Sequence, residues 1–575
     1  MNCSILTACQ FNPGSMKLNL IRFCALVFAI STGTSLQIQA QNSDVPQVTS
    51  TYALTNATVI VSPGQMLSNT TVIVEDGLIK AVGAKVNIPL YAKTIPCDSM
   101  YIYAGFIEGI SHTGIPKPEN EERPRVDDPG NPPNDVAGIT PELQVKDLYS
   151  SSDKSVSAKR KLGFTAAHVV PEKGMLPGKG SLMLLGDGDA DRMVMKEDVS
   201  LFLQLTPARR MYPGTIIGVM AKFRDMYRNA ELSKGHSSKY SEDGSGLRRP
   251  EYDRATEALF PVVSGDLPVF FKTPNSLHAH KAFMLQDELG FDLVLCELDE
   301  AWRLMDELKE TGTPIMLTVD LPDEADEKSE EDLEAMTAED KALMARRDSV
   351  LKTYVEQAAR LAEADIPFGF SFLEVKDKDF KANVRRMIEH GLQPQHVLAA
   401  LTTTPAEMMG VDRYMGTVEA GKMANLVVST GRYFAEDSQV KYVFVEGDMN
   451  EYEVKDKKKK KEKKEGEDEK PASIVGTWSF EVEVPGETQS GTLVFSGTDG
   501  DYEGELSAAD DDFTTDLDNI EINGSNVTFT SVMDADGQTI TLQFDIEVID
   551  GSFEGRVTAG PMGSFPIEGE FIPKN

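Results

Sequence analysis

From about residue 105 to about 415 the chain alternates short apolar runs with amphipathic ones. No other feature restricts its fold as strongly. The runs "GFTAAHVV", "LPVFFKT", "FDLVLCEL", "TPIMLTVDL" and "IPFGFSF" are short, apolar and β-prone. Between them lie helix-like stretches such as "DEAWRLMDELKETG" and "SLHAHKAFMLQDELG", the latter with Asn275 or Ser276 to cap it and Gly290 to end it. Strands alternating with helices predict a parallel sheet, and this many units predict a (β/α)8 barrel over 105–415.

The flanks read differently. Residues 52–104 carry β-rich runs, and Val72, Val74 and Ile79 around Asp76-Gly77 predict a hairpin. The β pattern returns after 416 in "NLVVSTG" and "QVKYVFVEGD", so 50–104 and 416–450 are expected to pair into one small β-sandwich. Within the barrel region, the acidic half of the stretch beginning "LPDEADEKSEEDLEAM" reads as the solvated face of a helical insertion. A linker is expected over 451–471, where "KDKKKKKEKKEGEDEKP" cannot bury apolar surface. Residues 472–575 hold seven or eight short strands with Gly and Asp turns, which predict an all-β barrel or sandwich.

A formal charge of −35 repels nucleic acid and anionic membranes, so nucleic-acid binding is not expected. Lys17, Arg22, the apolar run Phe23 to Ile30 and Ala40 form a secretory signal, 1–40, with Met16 as an alternative start. No later stretch approaches the ~18 apolar residues of a membrane span, so the mature protein is expected to be exported, periplasmic or extracellular. Cys97 and Cys296, remote in sequence, read as two buried free thiols.

Several separated stretches resemble the amidohydrolase superfamily, in particular the branch related to imidazolonepropionase found in exported bacterial proteins. They include "VIVEDGLIKAVG", "AGFIEGISHTG", "LGFTAAHVVPEKGMLPGKGSLM" and "LTTTPAEMMGVDRYMGTVEAGKMANLVV", where Asn425 replaces the usual Asp. The resemblance runs over about 50–448. It implies a barrel with a flanking β-sandwich, hydrolysis of amide or cyclic C–N bonds, and Zn²⁺ or another divalent ion that lowers the pKa of bound water. It also implies ligands from His-x-His on the first strand, one His each on the fifth and sixth, and an Asp on the eighth.

At those positions the chain has Ile110 and His112, then Lys272, Glu297 and Phe372. His112 is the retained metal candidate and Glu297 a second one. An ammonium at Lys272 repels a divalent ion, so the ancestral site is expected to hold no metal. Lys272 and Glu297 are expected to form a buried pair there, with Ile110 and Phe372 filling the adjoining space. The other histidines do not rebuild the set. His278 and His280 fall on different faces of a helix, His168 reads as a core or indirectly supporting residue, and His236, His390 and His396 read as surface. "PEKGMLPGKGSL" reads as a barrel loop, and Trp478 as a core residue.

Two functions stay open for the barrel, beside a third possibility that the tail alone acts as a small ligand- or polymer-binding module. One is an exported hydrolase of non-peptide C–N bonds. The other is a catalytically inactive homologue that binds a ligand or serves an active paralogue. The partners expected are a small molecule at the barrel mouth and either a second copy or a paralogue.

Overall fold

Asp76 and Gly77 both have positive φ, 51° and 74°, which builds the tight turn between two antiparallel strands. A computed structural model describes residues 51–116, 126–323, 336–454 and 474–572, apart from short turns in the last stretch. The expected signal segment and the run from 455 to 473 lie outside the described residues. The chain divides into two compact units, Met1–Asp456 and Lys457–Asn575.

The first unit opens with β1 (Tyr52–Ser62), β2 (Gln65–Glu75), β3 (Leu78–Gly83), β4 (Lys93–Pro96) and β5 (Tyr101–Ala104). Eight strands then follow: β6 (Phe106–Ser111), β7 (Phe164–Val169), β8 (Gly178–Leu184), β9 (Val194–Gln204), β10 (Val269–Lys272), β11 (Leu293–Leu298), β12 (Ile315–Thr318) and β13 (Phe368–Ser371). They close into a barrel in the order β10-β11-β12-β13-β6-β7-β8-β9.

This barrel departs from the regular (β/α)8 pattern at one strand. β8 runs antiparallel to both β7 and β9, whereas the remaining neighbours are parallel. The link between β7 and β8, residues 170–177, is too short for a crossover of about a dozen residues, so the chain turns back as a hairpin. The loop expected over 171–182 therefore ends at Gly178, where β8 begins.

Gly180 explains why a Gly-rich run can serve as a wall strand. A Cβ there would lie 2.4 Å from His168 Nε2 and 2.5 Å from Ser200 Oγ, so only glycine leaves room for the hydrogen bond between these groups. Lower in the barrel, Met316 fills the space beside Gly109 and Gly369.

The helix Ala338–Glu363, between β12 and β13, starts with Thr337 and Asp340 capping each other reciprocally. It buries Val355, Ala358 and Leu361 in the barrel core. The acidic stretch before it, 324–335, lies outside the described residues.

β14 (Leu426–Ser429), β15 (Val440–Val445) and β16 (Asp448–Glu451) return to the first sheet. β14 pairs antiparallel with β5, giving the order β16-β15-β14-β5-β1-β2-β3, with β4 beside β1. The expected sandwich thus takes the form of one sheet built from both flanks, with its own core around Leu54, Val72, Val74, Leu426 and Phe444. Asn425, at the point where β14 begins, accepts a hydrogen bond from the Glu446 backbone at 2.7 Å.

The second unit is an eight-stranded up-and-down barrel: β17 (Gly476–Val484), β18 (Glu487–Thr498), β19 (Asp501–Ala508), β20 (Thr514–Asn523), β21 (Asn526–Ala535), β22 (Gln538–Ile549), β23 (Ser552–Ala559) and β24 (Ser564–Ile572). Each strand pairs with the next, and β24 pairs with β17, which removes the open edges. Trp478 lies in its core, where the indole N–H donates to the Ile474 carbonyl at 2.8 Å.

Candidate functional site at the barrel mouth

The carboxyl ends of the parallel strands bring His112, Lys272, Glu297 and Ser371 to one end of the barrel. The turn after β6 is held from outside. Ser111 and Thr113 hydroxyls donate to Glu108 Oε2 at 2.9 and 2.7 Å. Glu108 is also ion-paired at 2.8 Å with Lys159, which reaches Asp377 at 2.9 Å. The β6–β7 register shifts between Glu108 and Ser111, and beyond that irregularity Ile110 and His112 alternate with Ser111 and Thr113, whose hydroxyls turn to Glu108.

Ile110 is buried at the register of Ser371. The His112 Nδ1 lies 2.7 Å from the Val170 carbonyl oxygen. A carbonyl only accepts, so Nδ1 carries the proton and Nε2 keeps its lone pair. Burial pushes the His112 pKa below its ordinary value and favours the neutral ring.

The expected pair between Lys272 and Glu297 is not formed. Lys272 is ion-paired with Glu374, beyond the end of β13. Glu297 is occupied elsewhere: Thr318 donates to Oε1 at 2.7 Å, and Ser371 donates to Oε2 in a short contact. The reason is a bulge. The β11–β12 register shifts between Cys296 and Leu298, and Glu297 has φ of 53°, which turns its carboxyl toward β12 and β13. Burial raises the Glu297 pKa, opposed by those two hydroxyls and by Lys272.

Phe372 does not face the mouth. Its ring packs 4.9 Å from Phe164 and 5.5 Å from Phe380, with Lys159 Nζ 4.8 Å from its centroid. Ser371, one residue earlier, meets Glu297, so the eighth-strand position is held by a serine hydroxyl. Ile110 and Phe372 therefore do not form a common plug.

Further carboxylates follow the strands. Burial first, then Glu297, Glu300 and Asp320, push Asp299 up to about 7. Asp320 is raised by burial and by Glu374. The sequence reading missed Glu374, Asp299, Asp320, Thr318 and Ser371. Their shared signal is position at or just after the carboxyl end of a barrel strand.

A divalent ion needs about three protein donors in a catalytic site. His112 Nε2 supplies one suitable atom, whereas both Glu297 oxygens already accept hydrogen bonds and Lys272 adds a positive charge. Among the described residues no group of three or more His, Cys, Asp or Glu is arranged to hold a metal. The residues present do not fit the ion.

The other histidines have separate places. His168 is buried in the barrel wall, with Nδ1 3.0 Å from the Gly109 carbonyl and Nε2 2.9 Å from Ser200 Oγ, and burial pushes its pKa down to about 4. His278 and His280 lie on the helix Ser276–Leu289, where His280 meets Glu307 at 3.3 Å. His390 contacts the Arg386 carbonyl. Cys97 and Cys296 are buried free thiols.

The first unit is a closed barrel with a polar mouth at the strand ends, joined to a sheet assembled from both flanks. The model of the amidohydrolase family matches residues 288–450, which run from the end of the helix before β11 through β16. Over that stretch the chain is similar to the amidohydrolase family.

Among solved structures, an amidohydrolase from Thermotoga maritima is 20% identical with a TM-score of 0.57, covering 69% of this chain and 99% of its own. A prolidase complexed with N-methylphosphonate-L-proline is 17% identical with a TM-score of 0.41, covering 70% of this chain and 100% of its own. Molinate hydrolase is 16% identical with a TM-score of 0.38, covering 70% and 94%. No curated protein sequence matches the chain.

Proposed function

We propose that this protein is an exported member of the imidazolonepropionase-like branch that binds a small amide or cyclic amide at the barrel mouth without metal-hydroxide chemistry. The observation that carries the reading is the pairing of Lys272 with Glu374, while Thr318 and Ser371 occupy both oxygens of Glu297. The Lys272 ammonium supplies a positive charge on the strand where relatives place a ligand, and it can donate to a ligand carbonyl. Glu297, held by two hydroxyls, fixes the wall beside it. In this role the protein acts as a binding subunit, as a homo-oligomer or with an active paralogue. Export is supported by the signal-like sequence at 1–40.

One observation favours a second, hydrolytic reading. His112 directs its Nδ1 proton to a backbone carbonyl and leaves Nε2 available, the orientation adopted by metal-ligating histidines.

A panel of N-acyl amino acids and cyclic amides separates the two, with binding followed by calorimetry and cleavage by amine release. The proposal expects saturable binding that weakens in Lys272→Met, without turnover. Turnover that disappears in His112→Ala establishes the hydrolytic reading instead.

A further inference from the structure

Away from the mouth, a cleft of about 1130 Å³ opens between the flanking sheet and the helix Phe380–Glu389. Tyr101, Phe434 and Leu398 contribute an apolar lining, and Arg385, Arg386 and Arg432 reach it from the barrel side and the loop after β14. Its size suits a molecule of a few hundred daltons.

The lining carries three arginines and three carboxylates, which differ in their partners. Arg385 donates to the Lys381 carbonyl at 3.4 Å, and neither Arg385 nor Arg432 is ion-paired with a carboxylate among the described residues. Arg386 donates to the Pro322 carbonyl at 3.0 Å and to Asn383 at 3.4 Å. Lys381, adjoining the cleft, lies 4.5 Å from the centroid of the Tyr433 ring and donates to the Ser438 carbonyl. Burial and the neighbouring Arg385 push its pKa down to about 8, and no carboxylate opposes that shift. Asp323, Glu389 and Glu436 also border the cleft; all three are exposed, as is Arg432, and water screens them, whereas Arg385 is half-buried.

Three arginines line a cleft that also holds aromatic surface, with Lys381 adjoining it, in a chain of net charge −35. Guanidinium groups bind carboxylates through paired N–H donors, and the apolar lining favours a hydrophobic body beside that head group. We propose that this cleft is a binding site for a small organic carboxylate with an aryl or alkyl body, held at its head by Arg385 and Arg432. It is separate from the barrel-mouth site and does not depend on the function assigned there.

Calorimetry on the full chain tests the proposal with 4-phenylbutyrate, and with 4-phenylbutanol as the uncharged comparison. The acid is expected to bind at least ~10-fold tighter than the alcohol, as one charge-assisted contact predicts. The Arg385→Gln/Arg432→Gln double variant, checked for folding by circular dichroism, should lose that preference, while Lys272→Met should retain it. Equal binding of acid and alcohol, absence of binding, or binding lost in Lys272→Met but kept in the double variant would each overturn the assignment.

Discussion

Glu108 and Lys159 form a buried ion pair of 2.8 Å behind the barrel wall, and the same glutamate accepts hydrogen bonds from the residues on either side of His112. The pair connects the helix Lys154–Lys161 to the turn that presents His112 at the mouth. Asp377, after β13, is the third member.

Removing one partner leaves a buried charge uncompensated, at a cost of about 3–5 kcal/mol. Lys159→Met is therefore expected to destabilise the barrel unit strongly in urea unfolding. The Lys159→Met/Glu108→Gln double variant should recover part of the loss. Equal losses in the single and double variants would show that the pair itself does not hold the turn.

His168 predicts an acid-side dependence. Its folded pKa of about 4 lies below the ordinary 6.5, so the unfolded chain takes up a proton that the folded chain refuses. The group's stabilising contribution is present above pH 6.5 and falls away as pH drops toward 4, at about 1.4 kcal/mol per pH unit. Urea midpoints between pH 4 and 7 should fall more steeply in the wild type than in His168→Gln. Parallel profiles would contradict the assignment. Gly180→Ala should cost ~1–3 kcal/mol by overpacking the same contact.

Asp299 has the opposite sign. Its folded pKa of about 7 exceeds the ordinary 3.8, so the folded state retains a proton that the unfolded state releases. Its contribution to stability declines as pH rises through that interval. Asp299→Asn should gain thermal stability relative to wild type at pH 8 and show little gain at pH 4. A gain independent of pH would show that burial together with Glu297, Glu300 and Asp320 is not its cause.

Much of the scaffold was legible because local signals agreed with one another. The Asp76-Gly77 turn, the strands returning after 416 and the Gly/Asp-punctuated tail all depend on turn chemistry or period-two patterning. β8 was not legible, because "GKGSLML" has the composition of a loop and its value lies in the missing side chain at Gly180. At the mouth the expected pair and plug are not formed. In the strand "FGFS", alternation can be counted from either phase, and Ser371 rather than Phe372 faces inward. Lys272 and Glu297 stand on neighbouring strands, so pairing them was reasonable from topology. The left-handed backbone at Glu297, invisible in a residue name, turns the carboxyl away.

The central claim is that Lys272 and the hydrogen-bonded Glu297 occupy the barrel mouth in place of metal ligands. Elemental analysis of protein purified without chelator or affinity metal tests it most directly. The account predicts far less than one equivalent of Zn, Mn or Fe in the wild type and no change in His112→Ala. A full equivalent in the wild type that is lost in His112→Ala would contradict it.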